Sequence, residues 1–315
     1  MSVVEKIKSA KSTVFSFELL PPLKGNGMDS VFRTIDALRE FDPKYINITT
    51  HRSEFVYRET ANGMFERLAE RHRPGTVAIA AAIQNKYDIT VVPHILCSGF
   101  TPEETEYVLI DLQFLGITDL LLLRGDKARH DKAFVPTGYS NATELQQQIN
   151  RFNDAVFLNG DKMKTPPRPF SYGMACYPEK HEEAPNLQSD LMWAKKKADA
   201  GAGYLVTQMF FDNQKYYDFV KKCRETGITV PIVPGLKPIT LKDQLTVLPK
   251  IFHTDIPEAF AGELAKCKTD AEAVEVGVEW CTQQALDLTA QGVPSIHFYS
   301  MMATQSVKRV AEKVF

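Results

Sequence analysis

DLLLLRGD, residues 119–126, is a short apolar run that stops on three polar residues. Four consecutive leucines leave no polar face, which is how a parallel strand buried on both sides reads. Outward from this stretch, seven more β-rich runs appear: 13–18 (TVFSFE), 45–50 (YINITT), 91–96 (VVPHIL), 171–176 (SYGMAC), 204–209 (YLVTQM), 231–235 (PIVPG) and 295–299 (SIHFY). Longer segments with helical spacing separate them. Thr101-Pro-Glu-Glu supplies an N-cap, a proline at the first helical position and carboxylates in the first turn. Val108, Leu112 and Leu115 then follow at i, i+4 and i+7, and residues 186–200 and 269–290 carry similar patterns. Eight strand–helix units predict an α/β fold, a (β/α)8 TIM barrel occupying residues 1–315 as a single domain. A doubly wound sheet is the alternative.

The 315 residues are 44% hydrophobic and 24% charged, enough for a large core and without the composition of a disordered chain. A net charge of −2 carries no electrostatic footprint for nucleic acid or an anionic membrane, so a small-molecule partner is expected. Five cysteines stand singly at 97, 176, 223, 267 and 281, which fits neither a disulfide framework nor a zinc knuckle and implies a reducing compartment. The first residues, MSVVEKIKSAKS, lack a signal-peptide apolar region, and no run reaches the about 20 apolar residues that span a bilayer. A cytoplasmic location is expected.

In a barrel the chemistry sits at the C-terminal ends of the strands. Those ends carry Glu18, Thr49 and Thr50, His94, Arg124-Gly125-Asp126, Tyr177 to His181, Gln208, Lys237 and Tyr299. Glu18 lies inside an apolar strand stopped by Pro21-Pro22. Burial would raise its pKa and keep a proton available near neutrality, as a general acid requires; a carboxylate paired with a buried Lys or Arg is the other reading. Arg124-Gly125-Asp126 brings a cation, a small backbone position and a carboxylate to one strand end, either as a site or as a turn with a local salt bridge. Gln208 would recognise a heterocycle by donating and accepting together, or serve as a structural amide. His94 and His181 lack metal-ligand spacing, so no metal is expected. Lys195, Lys196 and Lys197 read as a solvated helix face, and the aromatic groups Phe210-Phe211 and His297 to Tyr299 as core or as stacking surfaces. No dinucleotide, P-loop or nucleophile-elbow motif is present.

FSFELLPP (15–22), PHILC (93–97), LLLRGD (121–126), YPEKHEEAP (177–185), DAGAGYLVTQMFFD (199–212), PIVPGLKPI (231–239) and GVPSIHFYSM (292–301) occur in an order that resembles the methylenetetrahydrofolate reductase family, in its short bacterial form. The resemblance implies a barrel with non-covalent FAD that passes a hydride from NADH or NADPH to 5,10-methylenetetrahydrofolate in a ping-pong cycle. The product, 5-methyltetrahydrofolate, feeds methionine synthesis. It further implies catalytic roles for Glu18, as general acid, and Asp126, and substrate contacts from Gln208 and Tyr299. The FAD-binding positions it implies are Thr49, His94, Arg124, Gly125, Asp126, Tyr177, His181, Asp190, Lys196 and Lys197. The lysine run thereby acquires a second reading, as charge for the pyrophosphate. Ala303 stands where an arginine often contacts substrate, and Leu248 falls, by ungapped counting, where a stacking phenylalanine can occur. A homo-oligomer and the absence of a regulatory domain are expected on the same ground. The competing readings are a flavin- or folate-binding barrel without reductase activity and a flavin-free barrel lyase.

Overall fold

The computed structural model describes residues 1–126, 134–300 and 303–315. Residues 127–133, which follow Arg124-Gly125-Asp126, and Met301 and Met302, which precede Ala303, lie outside the described residues. Eleven described strands occur: β1 Val14–Leu19, β2 Tyr45–Ile48, β3 Glu54–Glu59, β4 Phe65–Glu70, β5 Thr90–Leu96, β6 Asp119–Leu123, β7 Ser171–Cys176, β8 Tyr204–Thr207, β9 Ile232–Val233, β10 Gly235–Leu236 and β11 Ser295–Phe298. Nine of them form one sheet in the order β10-β11-β1-β2-β5-β6-β7-β8-β9. All eight expected runs are there, the seventh as the pair β9 and β10. Proline cannot donate to a ladder, and at Pro234 the run divides, its carbonyl accepting from His297 N at 2.9 Å. β9 pairs in parallel with β8, and β10 with β11. The two ends of the strand list are therefore halves of one run, the order of a (β/α)8 TIM barrel.

Two boundaries shift from the sequence reading. β2 stops at Ile48 and β8 at Thr207, so Thr49, Thr50 and Gln208 lie just past their strands. β3 and β4, which were not anticipated, form an antiparallel hairpin with Phe55 opposite Ala69 and Tyr57 opposite Arg67. Its residues are mostly exposed, so it has no buried stripe from which to be recognised.

The chain divides into two compact units: residues 1–19, 33–47 and 171–315, and residues 20–32 and 48–170. In the first, Phe15 packs on Phe298 with ring centroids 5.6 Å apart and on Phe315 at 5.1 Å. A satellite core of Met209, Phe211, Ile239, Leu248, Phe260 and Leu264 lies under Trp280. In the second, Leu120, Leu121 and Leu122 are buried with Val91, Val92, Leu109, Leu112 and Ile149. The helix Pro102–Phe114 starts as read: Thr101 accepts from Glu104 N while the Glu104 carboxylate accepts from Thr101 N, a reciprocal capping box. Its buried stripe is Thr105, Leu109 and Leu112, one step round from the expected one, with Val108 and Leu115 half-buried. Asn186 and Thr269 likewise cap the helices Leu187–Asp199 and Asp270–Ala290. No described helix is long and apolar enough to cross a membrane.

Candidate active site

In the first unit β11 lies between β1 and β10, with Phe17 level with Phe298 and Leu236 level with Phe298. Glu18 follows on β1 and is buried, its backbone carbonyl accepting from Ser300 Oγ at 2.5 Å. Burial pushes its pKa up to about 7, and the Lys237 ammonium, the second influence, pulls the other way. The carboxyl is thus buried, with the charge of the buried Lys237 opposing the effect of that burial. Tyr299 N donates to Leu236 O at 2.9 Å, and its hydroxyl donates to Thr207 O at 2.6 Å. Burial first, then the Glu18 charge, holds that phenol well above its ordinary pKa. Thr207 Oγ1 accepts from Gly235 N at 2.9 Å. Gln208 is half-buried, with Oε1 accepting from Met209 N at 2.9 Å, so the oxygen end is a structural amide and the Nε2 end is its remaining donor.

A second group in the same unit follows β7. Tyr177 and His181 meet edge to face at 4.7 Å, and His181 N donates to the buried Asp190 carboxylate at 3.0 Å. Lys197 Nζ donates to Ala175 O at 2.8 Å and lies 5.9 Å from the Tyr177 ring. Lys196 instead lies on the exposed side of the helix, 4.7 Å from the Trp193 ring. The lysine run is thus divided: Lys197 packs beside Tyr177, and Lys196 is exposed beside Trp193.

The second unit holds the rest. Thr50 Oγ1 donates to His94 O at 2.5 Å, and Thr49 Oγ1 is 3.2 Å from His51 Nε2. His94 is buried, and its pKa falls to about 3, chiefly by burial and then by His51. The ring is neutral at physiological pH, and its buried Nε2 has no hydrogen-bond partner among the described residues. Arg124 lies 4.7 Å from the Phe134 ring. Gly125 adopts φ +82°, and a Cβ there would come within 2.9 Å of Ser98 Cβ, so only glycine sits there without strain. Asp126 is exposed, and its backbone carbonyl accepts from Ser98 Oγ at 3.1 Å. Ser98 also takes a 2.7 Å hydrogen bond from Arg52.

The sequence reading missed Arg52, Ser98, Thr207 and Ser300, whose roles are hydrogen bonds to backbone or to another side chain distant in the chain. Only the adjacency of Thr207 to Gln208 and of Ser300 to Tyr299 signalled them. Leu248 is buried in the satellite core, where it is not available as a stacking surface. Ala303 is the N-cap residue of the helix Thr304–Val314 and makes no side-chain cap. No group of three or more metal-ligating side chains occurs among the described residues.

A family model described as methylenetetrahydrofolate reductase matches residues 3–314. Methylenetetrahydrofolate reductase (NADH) 1 of Arabidopsis thaliana is 31% identical, over 97% of this chain and 49% of its own length. The 5,10-methylenetetrahydrofolate reductase of Escherichia coli K12 is 30% identical, over 91% of this chain and 85% of its own. A probable methylenetetrahydrofolate reductase (NADPH) of Caenorhabditis elegans is 29% identical, over 99% of this chain and 43% of its own. The chain spans about half the length of the plant and nematode relatives. Among solved structures, a Clostridium thermocellum protein that binds two copies of 5-methyl-5,6,7,8-tetrahydrofolic acid aligns over 98% of both chains with TM-score 0.57 and 15% identity, a likeness of fold.

Proposed function

Because the chain belongs to the methylenetetrahydrofolate reductase family, we propose that it reduces 5,10-methylenetetrahydrofolate to 5-methyltetrahydrofolate, with FAD as cofactor and reduced nicotinamide, NADH or NADPH, as electron donor. The observation that carries the reading is Glu18, the one charged side chain of the buried strand β1, with its pKa pushed up to about 7. A general acid is most effective when its pKa lies near the working pH.

FAD, when bound, accepts a hydride from one substrate and delivers it to the other. The second unit by itself carries donors that fit such a group: a buried His94 nitrogen with no partner among the described residues, the Arg124 cation, and Gly125, which adds no side chain just past the end of β6. In this reading Thr49, His94, Arg124, Gly125, Asp126, Tyr177, His181, Asp190, Lys196 and Lys197 hold FAD. Glu18 would give its proton to the folate nitrogen that departs as the five-membered ring opens, leaving the methylene carbon electrophilic. Gln208 binds the pterin through the amide end that Met209 leaves open, and Asp126 supplies a negative charge to the reaction. Tyr299, fixed by Thr207, lines the substrate channel. Nicotinamide and folate leave and enter in turn, in a ping-pong cycle. Residues 1–315 act as one catalytic domain in a cytoplasmic homo-oligomer, and the product serves methionine synthesis.

The test is an absorption spectrum of the purified protein under anaerobic conditions, with NADH or NADPH added first and methylenetetrahydrofolate second. Flavin bands that bleach and then return are expected. In Glu18→Gln the bleaching should persist, while the return slows by about 100-fold or more, the usual contribution of a positioned general acid. A colourless protein that binds no added FAD sinks the proposal.

A further inference from the structure

Residues level with one another on adjacent parallel strands point to the same face of the sheet. Across β1, β11 and β10 one rung is Ser16, His297 and Gly235, and the next is Phe17, Phe298 and Leu236. The rung after that is Glu18, Tyr299 and Lys237, and Tyr299 N continues the ladder through its bond to Leu236 O. Its side chains share the face of the Ser16 rung, where Ser16 Oγ and His297 Nδ1 are 3.0 Å apart. That face is crowded, since a Cβ on Gly235 would meet the Tyr299 ring at 2.4 Å. A carboxyl, a phenol and an ammonium thus stand side by side on three strands, with Tyr299 in the middle. Strands lie about 4.8 Å apart, so the two outer backbones are about 10 Å apart, a gap that the long Glu and Lys side chains narrow from both ends.

Glu18 is 5% and Lys237 7% exposed. A buried charge is costly unless paired, and Lys237 faces two ionisable side chains, Glu18 and the thiol of Cys281. The other titratable groups around the rung lie beyond Tyr299, namely Tyr45, Cys176 and Tyr177, with His297 two residues before it. His297 Nδ1 lies 3.0 Å from Ser16 Oγ and 3.4 Å from Asn47 Nδ2, and the one charge that acts on Glu18 besides the effect of burial is that of Lys237.

We infer that Lys237 is a positioning residue for the proton of Glu18: its ammonium, one rung-width across Tyr299, stabilises the carboxylate left after the proton has gone. Burial alone would keep the acid protonated and make it a poor donor. The cation opposes burial, so the carboxyl gives up its proton to the departing nitrogen and then recovers one from solvent for the next turnover. In this role Lys237 acts through Glu18.

The catalytic part of this inference rests on the proposed reductase reading; the coupling of the two side chains does not, and the experiment separates them. In the holoprotein, the infrared band of a protonated carboxyl is titrated with pH and assigned to Glu18 by its loss in Glu18→Gln. Lys237→Met should move the midpoint upward by about one pH unit or more, the usual influence of an opposite charge nearby, while Lys237→Arg keeps it near the original value. The basic limb of the folate half-reaction should move with it in the same direction. A midpoint and a rate profile unchanged in folded Lys237→Met overturn the inference, as does a downward shift. If Lys237→Met does not fold, Lys237→Gln provides the same comparison. A protein without folate reduction at any pH defeats the reductase reading, and the infrared midpoint still decides the coupling.

Discussion

Glu18 and His94 are both buried, and burial works on them in opposite senses. Glu18 binds its proton more tightly in the folded chain than the ordinary value of 4.5, so it supports folding fully below that pH and loses this support as pH rises through about 7. The span corresponds to something on the order of 3 kcal/mol. His94 is held neutral down to about 3, so its support is complete above the ordinary 6.5 and is lost as pH falls through that lower value. Urea unfolding of the wild type and of Glu18→Gln across pH 5–8 should therefore give diverging curves, with the variant losing less stability as pH rises; parallel curves would show that the carboxyl is already ionised when folded. At Gly235 an added methyl would meet both the Tyr299 ring and Thr207 O, at 2.4 and 2.5 Å. Gly235→Ala should cost about 1–3 kcal/mol by the same unfolding measurement. Glu18 was legible because a lone carboxylate interrupts an apolar strand. Lys237 was visible only as a polar residue after a strand, since its meaning depends on Glu18, more than 200 positions away.

Among the elements, strands buried on both faces were the easiest to read, because apolar residues there occupy every position: β6 and β7 match their expected bounds, and β1, β5 and β11 differ by a residue. The seventh strand was harder, because Pro234 divides a run that is apolar throughout. The hairpin of β3 and β4 was hardest, since Phe55, Tyr57 and Phe65 are all more than half exposed and report no core. Helix starts were well marked by their caps. The Thr101 box satisfies two donors that the first turn leaves free, so Thr101→Ala should lower stability by about 1 kcal/mol, read as a shift in urea midpoint at constant slope. An unchanged midpoint would show that water serves these donors equally well. In the helix Asp270–Ala290, a Cβ on Gly277 would approach Ile239 O to 2.0 Å, so this glycine sets how closely the helix can lie against the segment after β10.

For the molecule as a whole, the strand order and the family were legible because seven short motifs fall in sequence along nearly the entire chain. The division of the contacts into two units was not, since no linker or change in composition marks it: the first unit is assembled from three separate stretches of sequence. All five cysteines are free and buried, and burial pushes the thiols of Cys97, Cys223 and Cys281 up to about 12. A thiol that is both covered and protonated reacts negligibly with alkylating reagents. The native protein should thus be silent to such reagents, and each adduct formed would time an opening event. Cys97 belongs to the second unit and the other four to the first, so the order in which mass increments accumulate under mild urea would tell whether the two units open together or in succession. The cysteines make the chain its own stopwatch, with no label to be engineered.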